Sequence, residues 1–422
     1  MKFKKKILKN GLRIISAPLR GNKTVTVLAL VEAGADYENK KNNGLSHFLE
    51  HLCFKGTKRR PQAVDISLEL DKLGAHYNAF TGYELTGYYA KAYSKHQSKI
   101  LDIISDLYLN PIFDAREIKK EKGVIIEEIN MHADLPMRQI HDVLLKLLYG
   151  EQAAGRQISG PKKNVRKFVR NDFINYRKNR YTAKNTIIII AGGFNEKKML
   201  AEIREKFKNI NTDRSPKKLK TAERQTKPRL TVKYKKSDQT HLILGARAFP
   251  ILNKDALAAS LLASVLGAGM SSRLFQKLRD EMGVCYYVSA SNDTSTDRGF
   301  LGVSAGVNNE RLEEVVQVLL EEFKKLKTDL VSEEELRKVK NCVIGNLYLN
   351  LESSDSIAEY FGIQELLKKE ILTPQEKVEK IKAITAEDIK RVANKIFKNE
   401  KLNLAIIGPV KNKKTLQKIL KL

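Results

Sequence analysis

The sequence predicts an α+β protein of two related domains, each a mixed or antiparallel sheet covered by helices. Three observations predict it. The chain has 422 residues, 42% hydrophobic and 30% charged, a soluble globular composition long enough for two domains with separate cores. Strand-like and helix-like segments alternate, but without the regular strand–helix count of a doubly wound parallel sheet. Finally, IIIIAGGFNEKKMLAEI (Ile187–Ile203) resembles LNLAIIGPVKNKKTLQKIL (Leu402–Leu420), with Gly192 matching Gly408, Lys197 and Lys198 matching Lys413 and Lys414, and Leu200 matching Leu416. Each copy reads as an apolar strand, a turn and an amphipathic helix. Each follows a helix begun by Asn171–Asp172 or by Thr385–Asp388. Two copies are too few for a solenoid, so a duplicated domain is expected.

In chain order, Leu12–Ala17 and Thr24–Val31 alternate or run apolar and read as strands. Leu45–Lys55 reads as a helix after the polar start Asn42-Asn43-Gly44. Asp65–Leu73 carries Ile66, Leu70 and Leu73 at helical spacing. Leu85–Ala92, rich in Tyr and Thr, reads as a strand; Ile100–Leu109, Ala115–Met131 and Met137–Tyr149 read as helices. The stretch Arg214–Lys236 holds ten Lys or Arg and one acid, Glu223, with Pro216 and Pro228. It predicts a solvated linker and a division into residues 1–213, a basic linker 214–228, and residues 229–422.

The net charge is +28, from 77 Lys and Arg against 49 Asp and Glu. The basic residues are spread along the chain, and the dense stretch lacks the aromatic ladder of a nucleic-acid surface, which argues against that partner. Cys53, Cys285 and Cys342 form neither a disulfide framework nor a metal knuckle, and a reducing cytoplasm is expected. No apolar run reaches the roughly 18–20 residues of a membrane span. The opening MKFKKKILKNGLRII is basic, but Lys9, Asn10, Gly11 and Arg13 interrupt its apolar part, so no secretion signal is expected.

Chemistry concentrates in His47-Phe48-Leu49-Glu50-His51. On a helix the two histidines lie one turn apart on one face, where both imidazoles can close on one ion. Glu50 then lies beside the metal rather than on it, where a general base for a metal-activated water belongs. Zn²⁺ suits imidazole and carboxylate ligands and keeps a position open for water. A third ligand is required. Glu121 and Glu128 are two turns apart on one face of the Ala115–Met131 helix, with Glu127 off that stripe. They fit a ligand, Glu128, with a supporting carboxylate behind it. They equally fit a charged helix face.

The order His-x-x-Glu-His is that of the inverzincins. With LSHFLEHLCFKGTKRR, GAHYNAFTGYELTGYYAKAYSKH, LNPIFDAREIKKEKGVIIEEI, GRQISGP and GAGMSSRLFQKLRDEMGVCYYVSA, the chain resembles the pitrilysin-type zinc metallopeptidases, in their short branch with the mitochondrial processing peptidases. The resemblance touches both halves. It implies a processing-peptidase-like fold and a zinc endopeptidase with one Zn²⁺ per chain, held by His47, His51 and Glu128, with Glu50 as base and Glu121 in support. It implies that the segment Asn78-Ala79-Phe80-Thr81 is an exposed strand edge to which extended peptides add, and that Glu84 lies near the substrate and favours a basic side chain. Read unaided, Glu84 is equally a solvated strand end. It further implies that Arg279 and Tyr286 hold the substrate, although unaided these read as surface and core. Cys53 reads as packing. Ala153-Ala154-Gly155 stands where relatives often carry Pro-Leu-Gly. Because both residue sets sit on one chain, a homodimer with composite active sites enclosing unfolded peptides is expected. A non-catalytic scaffold subunit of the same family is the first alternative, though such subunits usually lose part of the zinc motif. A basic nucleic-acid-binding protein is the second.

Overall fold

The computed structural model describes residues 1–422 as two compact units. Unit 1 comprises Met1–Asn130, Gln157–Leu219 and Tyr348–Gln375; unit 2 comprises Met131–Arg156, Lys220–Leu347 and Glu376–Leu422. No helix is long and apolar enough to cross a membrane.

Unit 1 is built on strands β1 (Lys4–Ile7), β2 (Arg13–Pro18), β3 (Thr24–Val31), β4 (His76–Thr81), β5 (Thr86–Tyr93) and β6 (Thr186–Gly192), in the order β1-β2-β6-β3-β5-β4. Only β2 and β6 run parallel. The run Ile187–Ile190 is wholly buried, as an unbroken apolar strand must be when both sheet faces are covered. Alternate residues divide between the faces. Val25, Val27, Ala29, Ile188 and Ile190 join the core that also holds Phe48 and Leu52 of helix α1 (Leu45–Cys53), Ile66 and Leu70 of α2 (Ala63–Asp71), and Ile100 and Leu107 of α3 (Gln97–Leu109). Leu30 and Ile189 point the other way, against the helix Ser354–Lys368. That helix comes so close that a Cβ at Gly362 would lie 2.6 Å from Leu30 Cδ1 and 2.8 Å from Ile189 Cδ1. Polar ties fix it there: the Ser354 and Thr26 hydroxyls are 2.8 Å apart, and Lys91 pairs with Asp355 at 2.8 Å.

Unit 2 repeats the plan. Its strands β7 (Arg229–Tyr234), β8 (Gln239–Arg247), β9 (Cys285–Thr294), β10 (Gly299–Asn308) and β11 (Leu402–Gly408) lie in the order β7-β11-β8-β10-β9. The parallel pair β7–β11 stands where β2–β6 stands in unit 1, followed by three antiparallel pairings in each. β6 and β11 carry the matching sequence segments, so the similarity within the sequence reflects a duplicated fold. One face of this sheet packs Ile243, Ala405 and Ile407 against Ile140, Leu144 and Leu148 of α5 (Pro136–Tyr149). The other packs Leu242, Leu244, Leu404 and Ile406 against the helices Ala256–Gly267 and Leu312–Thr328.

The units therefore do not follow the chain's linear order. Unit 2 takes α5 from the first half of the sequence, and unit 1 takes Ser354–Lys368 from the second. A sheet made of apolar strands needs cover on both faces, and each half of the sequence supplies one cover for the other's sheet.

Behind α1, the chain is fixed by Arg60. Its guanidinium is buried and donates to Glu69 at 2.8 Å, Asp102 at 2.8 Å and Asp106 at 2.8 Å. Burial opposes ionisation of Asp102, but Lys206, Arg60 and Arg59 hold its carboxyl well below the usual range. Asp106 is likewise lowered against burial, by Thr57, Asn110 and Arg60. Removing the cation strands buried carboxylates, so Arg60→Met is expected to cost about 3–5 kcal/mol in urea unfolding at pH 7. Because the folded-state carboxyls are lowered, their contribution is present above the unfolded pKa and lost as pH falls through the folded one. The gap between wild type and variant should thus narrow below about pH 4. A pH-independent gap would contradict the assignment.

Candidate active site

α1 begins at Gly44, whose φ of 100° favours glycine; a Cβ there would also lie 2.5 Å from the Ser159 carbonyl oxygen. The buried carboxylate of Glu38 accepts from the backbone N–H of Gly44 at 2.8 Å and of Ser46 at 2.6 Å, and from Asn43 Nδ2 at 3.1 Å. A carboxylate on the first N–H groups satisfies unpaired donors and complements the helix dipole. Phe48, Leu49, Leu52 and Cys53 face the core. The Cys53 thiol donates to Tyr88 at 3.5 Å, and burial pushes it up to about 12. It packs rather than ligates.

The opposite face presents His47 and His51, with ring centroids 4.7 Å apart. Glu128, on α4 (Ala115–Asp134), brings Oε2 to 3.6 Å from His47 Nε2 and to 3.6 Å from His51 Nε2. One donor atom from each of the three residues lies within 4.8 Å of the others. Zinc–ligand bonds of ~2.0–2.1 Å in a tetrahedron set neighbouring donors about 3.4 Å apart, close to the 3.6 Å from Glu128 Oε2 to each imidazole nitrogen. Held by these three donors, a tetrahedral ion would keep a fourth position open. Burial disfavours the His47 imidazolium, but Glu128 and Glu50 favour it more, and its pKa is raised. An ion entering here displaces that proton.

Glu121, also on α4, is buried. Its carboxylate pairs with Lys55 at 2.7 Å and lies 3.8 Å from His51 Nδ1. Burial raises its pKa, but His51 and Lys55 lower it by more. The expectation placed this carboxylate behind Glu128. The two-turn spacing on α4 instead brackets His51, whose two ring nitrogens face the two glutamates. Glu127 makes no such contact; it accepts from Asn130 at 3.2 Å. Glu50 lies on the neighbouring side of α1, and its Oε2 accepts the Thr81 hydroxyl at 2.6 Å.

Residues 13–162 match the profile described as "Insulinase (Peptidase family M16)", and residues 167–342 that described as "Peptidase M16 inactive domain". An uncharacterized zinc protease of Rickettsia felis is 34% identical over 411 residues, spanning 95% of this chain and 96% of the relative. The chain belongs to peptidase family M16. An uncharacterized zinc protease of Bacillus subtilis is 33% identical across 97% of this chain and 99% of its own. The human mitochondrial-processing peptidase subunit beta is 31% identical across 96% of this chain and 84% of its own. In fold, the M16 chain is similar to a protease from Helicobacter pylori, with a TM-score of 0.89 at 24% identity over 97% of this chain and 99% of that one. His47, Glu50, His51, Glu121 and Glu128 all fall in the segment matching the first profile.

Asn78, Ala79 and Phe80 lie on β4, the edge strand of the unit 1 sheet. β4 pairs with β5 on one side only, Asn78 opposite Tyr89, Ala79 opposite Tyr88 and Phe80 opposite Gly87. Thr81 ends the strand, so the unpaired edge leads to Glu50. Glu84 is neither exposed nor solvated: it is 5% exposed and holds Lys218 at 2.6 Å. Arg279 and Tyr286 belong to unit 2. The Arg279 guanidinium lies 5.3 Å from the Tyr286 ring centroid and donates to the Tyr286 carbonyl. Both line an open polar cavity of about 690 Å³ with Asp238 and Asp280. Tyr286 is 74% exposed, which corrects its reading as a core residue. It lies at the start of the edge strand β9, beside Arg279.

Glu38 and Lys55 are further residues of this site that the sequence reading missed, and Thr81, read only as part of the strand edge, also donates to Glu50. Lys55 lies one helical turn beyond His51, a spacing that could have drawn attention. Nothing local marks Glu38.

Proposed function

We propose that the M16 chain is a zinc-dependent endopeptidase acting on extended peptides. The convergence of two imidazole nitrogens and one carboxylate oxygen, with Glu50 alongside, carries this reading. His47, His51 and Glu128 would hold Zn²⁺, which when bound supplies Lewis-acid polarisation of the scissile carbonyl and of a water. Glu50 takes the proton from that water and delivers it to the leaving amine. The Thr81 hydroxyl occupies Oε2, leaving Oε1 to carry the proton. Glu121 holds His51 from its Nδ1 side, which orients the ring. The free edge of β4 offers backbone donors and acceptors to a peptide that adds as a further strand, a mode that accepts many sequences. Its direct continuation to Glu50 supports this role for Asn78, Ala79 and Phe80.

Arg279 clamps a substrate carbonyl, and the Tyr286 hydroxyl donates to the developing oxyanion. Both residues being present with a complete metal motif supports a homodimer, in which zinc ligands of one copy face Arg279 and Tyr286 of the other around a closed chamber. The cysteine pattern supports a cytoplasmic setting. Turnover of a quenched peptide library, with metal analysis, tests the reading. One zinc per chain is expected, and cleavage should stop with a chelator and return with zinc. Mixing Glu50→Gln chains with Tyr286→Phe chains should recover cleavage that neither has alone. A zinc-replete chain that cuts nothing would instead be a scaffold subunit, and the absence of recovery on mixing would exclude the composite site.

A further inference from the structure

Two features of unit 2 bear on how Arg279 and Tyr286 are held. The first is the helix that carries Arg279. It starts as an α-helical turn at Arg273–Phe275 and widens into a π-helical turn at Gln276–Glu281. There the Met282 N–H donates to the Lys277 carbonyl at 3.1 Å, five residues back instead of four. π-helical turns are rare and recur at functional sites. The chain then reverses at Gly283, whose φ of 62° favours glycine, and the Val284 N–H donates to the Leu278 carbonyl at 2.9 Å. This return sets Tyr286 against Arg279, whose guanidinium donates to the Tyr286 carbonyl.

The second is a ring to which the proposed mechanism gives no part. The central guanidinium carbon of Arg279 lies 5.3 Å from the Tyr286 ring centroid and also 5.7 Å from that of Phe275. Both distances are within the roughly 6 Å over which a cation is drawn to an aromatic face. The two rings differ in anchorage. Phe275 is half-buried and packs against the unit 2 core, whereas Tyr286 is mostly exposed. Phe275 is therefore the fixed support and Tyr286 the supported group. These contacts of Arg279 are two aromatic faces and a carbonyl oxygen, none of them an acid, so they hold the guanidinium without neutralising it.

We propose that Phe275 is a positioning residue: its ring fixes the Arg279 guanidinium, and through it the exposed Tyr286, in the arrangement that meets the peptide. The inference rests on the endopeptidase reading and on the part proposed there for Arg279 and Tyr286. A long arginine side chain near the surface has many rotamers, and ordering it only when the peptide arrives subtracts from binding. The Phe275 ring orders it beforehand. The carbonyl bond from Arg279 then carries that order to the first residues of β9, where Tyr286 lies.

The test compares wild type, Phe275→Leu, Phe275→Tyr, Arg279→Met and the Phe275→Leu/Arg279→Met double variant in cleavage of a quenched peptide. Zinc content and thermal unfolding are measured alongside. Leucine keeps an apolar contact with the core but offers no aromatic face, whereas tyrosine keeps the face. Phe275→Leu should lower kcat/KM roughly 5–10-fold, and Phe275→Tyr should stay within about twofold of wild type. In the Arg279→Met background the leucine substitution should cost nothing further, because the group it positions is gone. A residue that only packs would cost the same factor with or without Arg279, so additive losses overturn the proposal. So does a folded, zinc-replete Phe275→Leu with wild-type kcat/KM, or an Arg279→Met that cuts as well as wild type. Should Phe275→Leu fail to fold, NMR of arginine-labelled protein decides. The δ-methylene resonance of Arg279, assigned by its loss in Arg279→Met, should lie upfield in wild type. It should stay partly upfield in Tyr286→Leu, since the Phe275 ring remains, and an unshifted resonance there overturns the proposal. Failure of zinc-replete wild type to cut any peptide is a separate result, which removes the endopeptidase reading and this inference together.

Discussion

Glu50→Gln is expected to retain one zinc per chain and to lower kcat for peptide cleavage by roughly 10²–10⁴-fold, the contribution of a positioned general base. The substitution preserves shape. The carboxamide oxygen can still accept the Thr81 hydroxyl, which now lies 2.6 Å from Glu50 Oε2, so β4 and α1 keep their junction. What disappears is the ability to receive a proton. Because Glu50 is not among the three clustered ligand residues, metal content and thermal unfolding should match wild type. KM should change little if the peptide is held, as proposed, by the strand edge. Retention of more than about a tenth of wild-type kcat would assign the proton transfer to another group.

Glu128→Ala has the second large effect, and its readout is metal rather than turnover. The substitution removes the only carboxylate of the three-donor cluster and leaves His47 and His51 on α1. Two imidazoles one turn apart hold zinc weakly against solvent and protons, so the variant should emerge from dialysis without metal. Zinc should then no longer raise its unfolding temperature, as it does for any protein that binds the ion only when folded. Glu121→Gln provides the comparison. That side chain reaches His51 at Nδ1 from 3.8 Å and is itself held by Lys55. Its loss should weaken zinc by about 10–100-fold, the effect of a group that orients a ligand. Equal zinc affinity of Glu128→Ala and wild type would move the third ligand elsewhere.

The parts of this protein that were legible in the sequence are those governed by local periodicity. Thr24–Val31 forms one strand with the predicted ends, because alternating β-branched residues buried on both faces have no other regular solution. His47 and His51 share a face because α1 is a helix. The duplicated strand–turn–helix segment marks two equivalent strands, β6 and β11. What escaped depends on partners distant in sequence. The amphipathic pattern of Pro136–Tyr149 and of Ser354–Lys368 shows that each helix has an apolar side, but not which sheet it covers. The spacing of Glu121 and Glu128 puts them on one stripe of α4, but only the crossing of α4 with α1 sets them on opposite sides of the His51 ring. Glu38 reaches the site, and Thr81 reaches Glu50, through loop and strand-end geometry that carries no motif. Lys218 sits in a stretch whose composition signals solvent, and the buried Glu84 overrides that signal. Tyr286 reads as core by residue type, yet it lies exposed near the start of an edge strand.

The trade of helices between the units also has a consequence for synthesis. When the ribosome has made the first two hundred residues, the strands of the first sheet exist but one of their covers does not. That face stays bare until Ser354–Lys368 is translated, late in the chain. A product truncated in the basic stretch is therefore expected to aggregate rather than fold as a working half, which sedimentation of the expressed fragment would show.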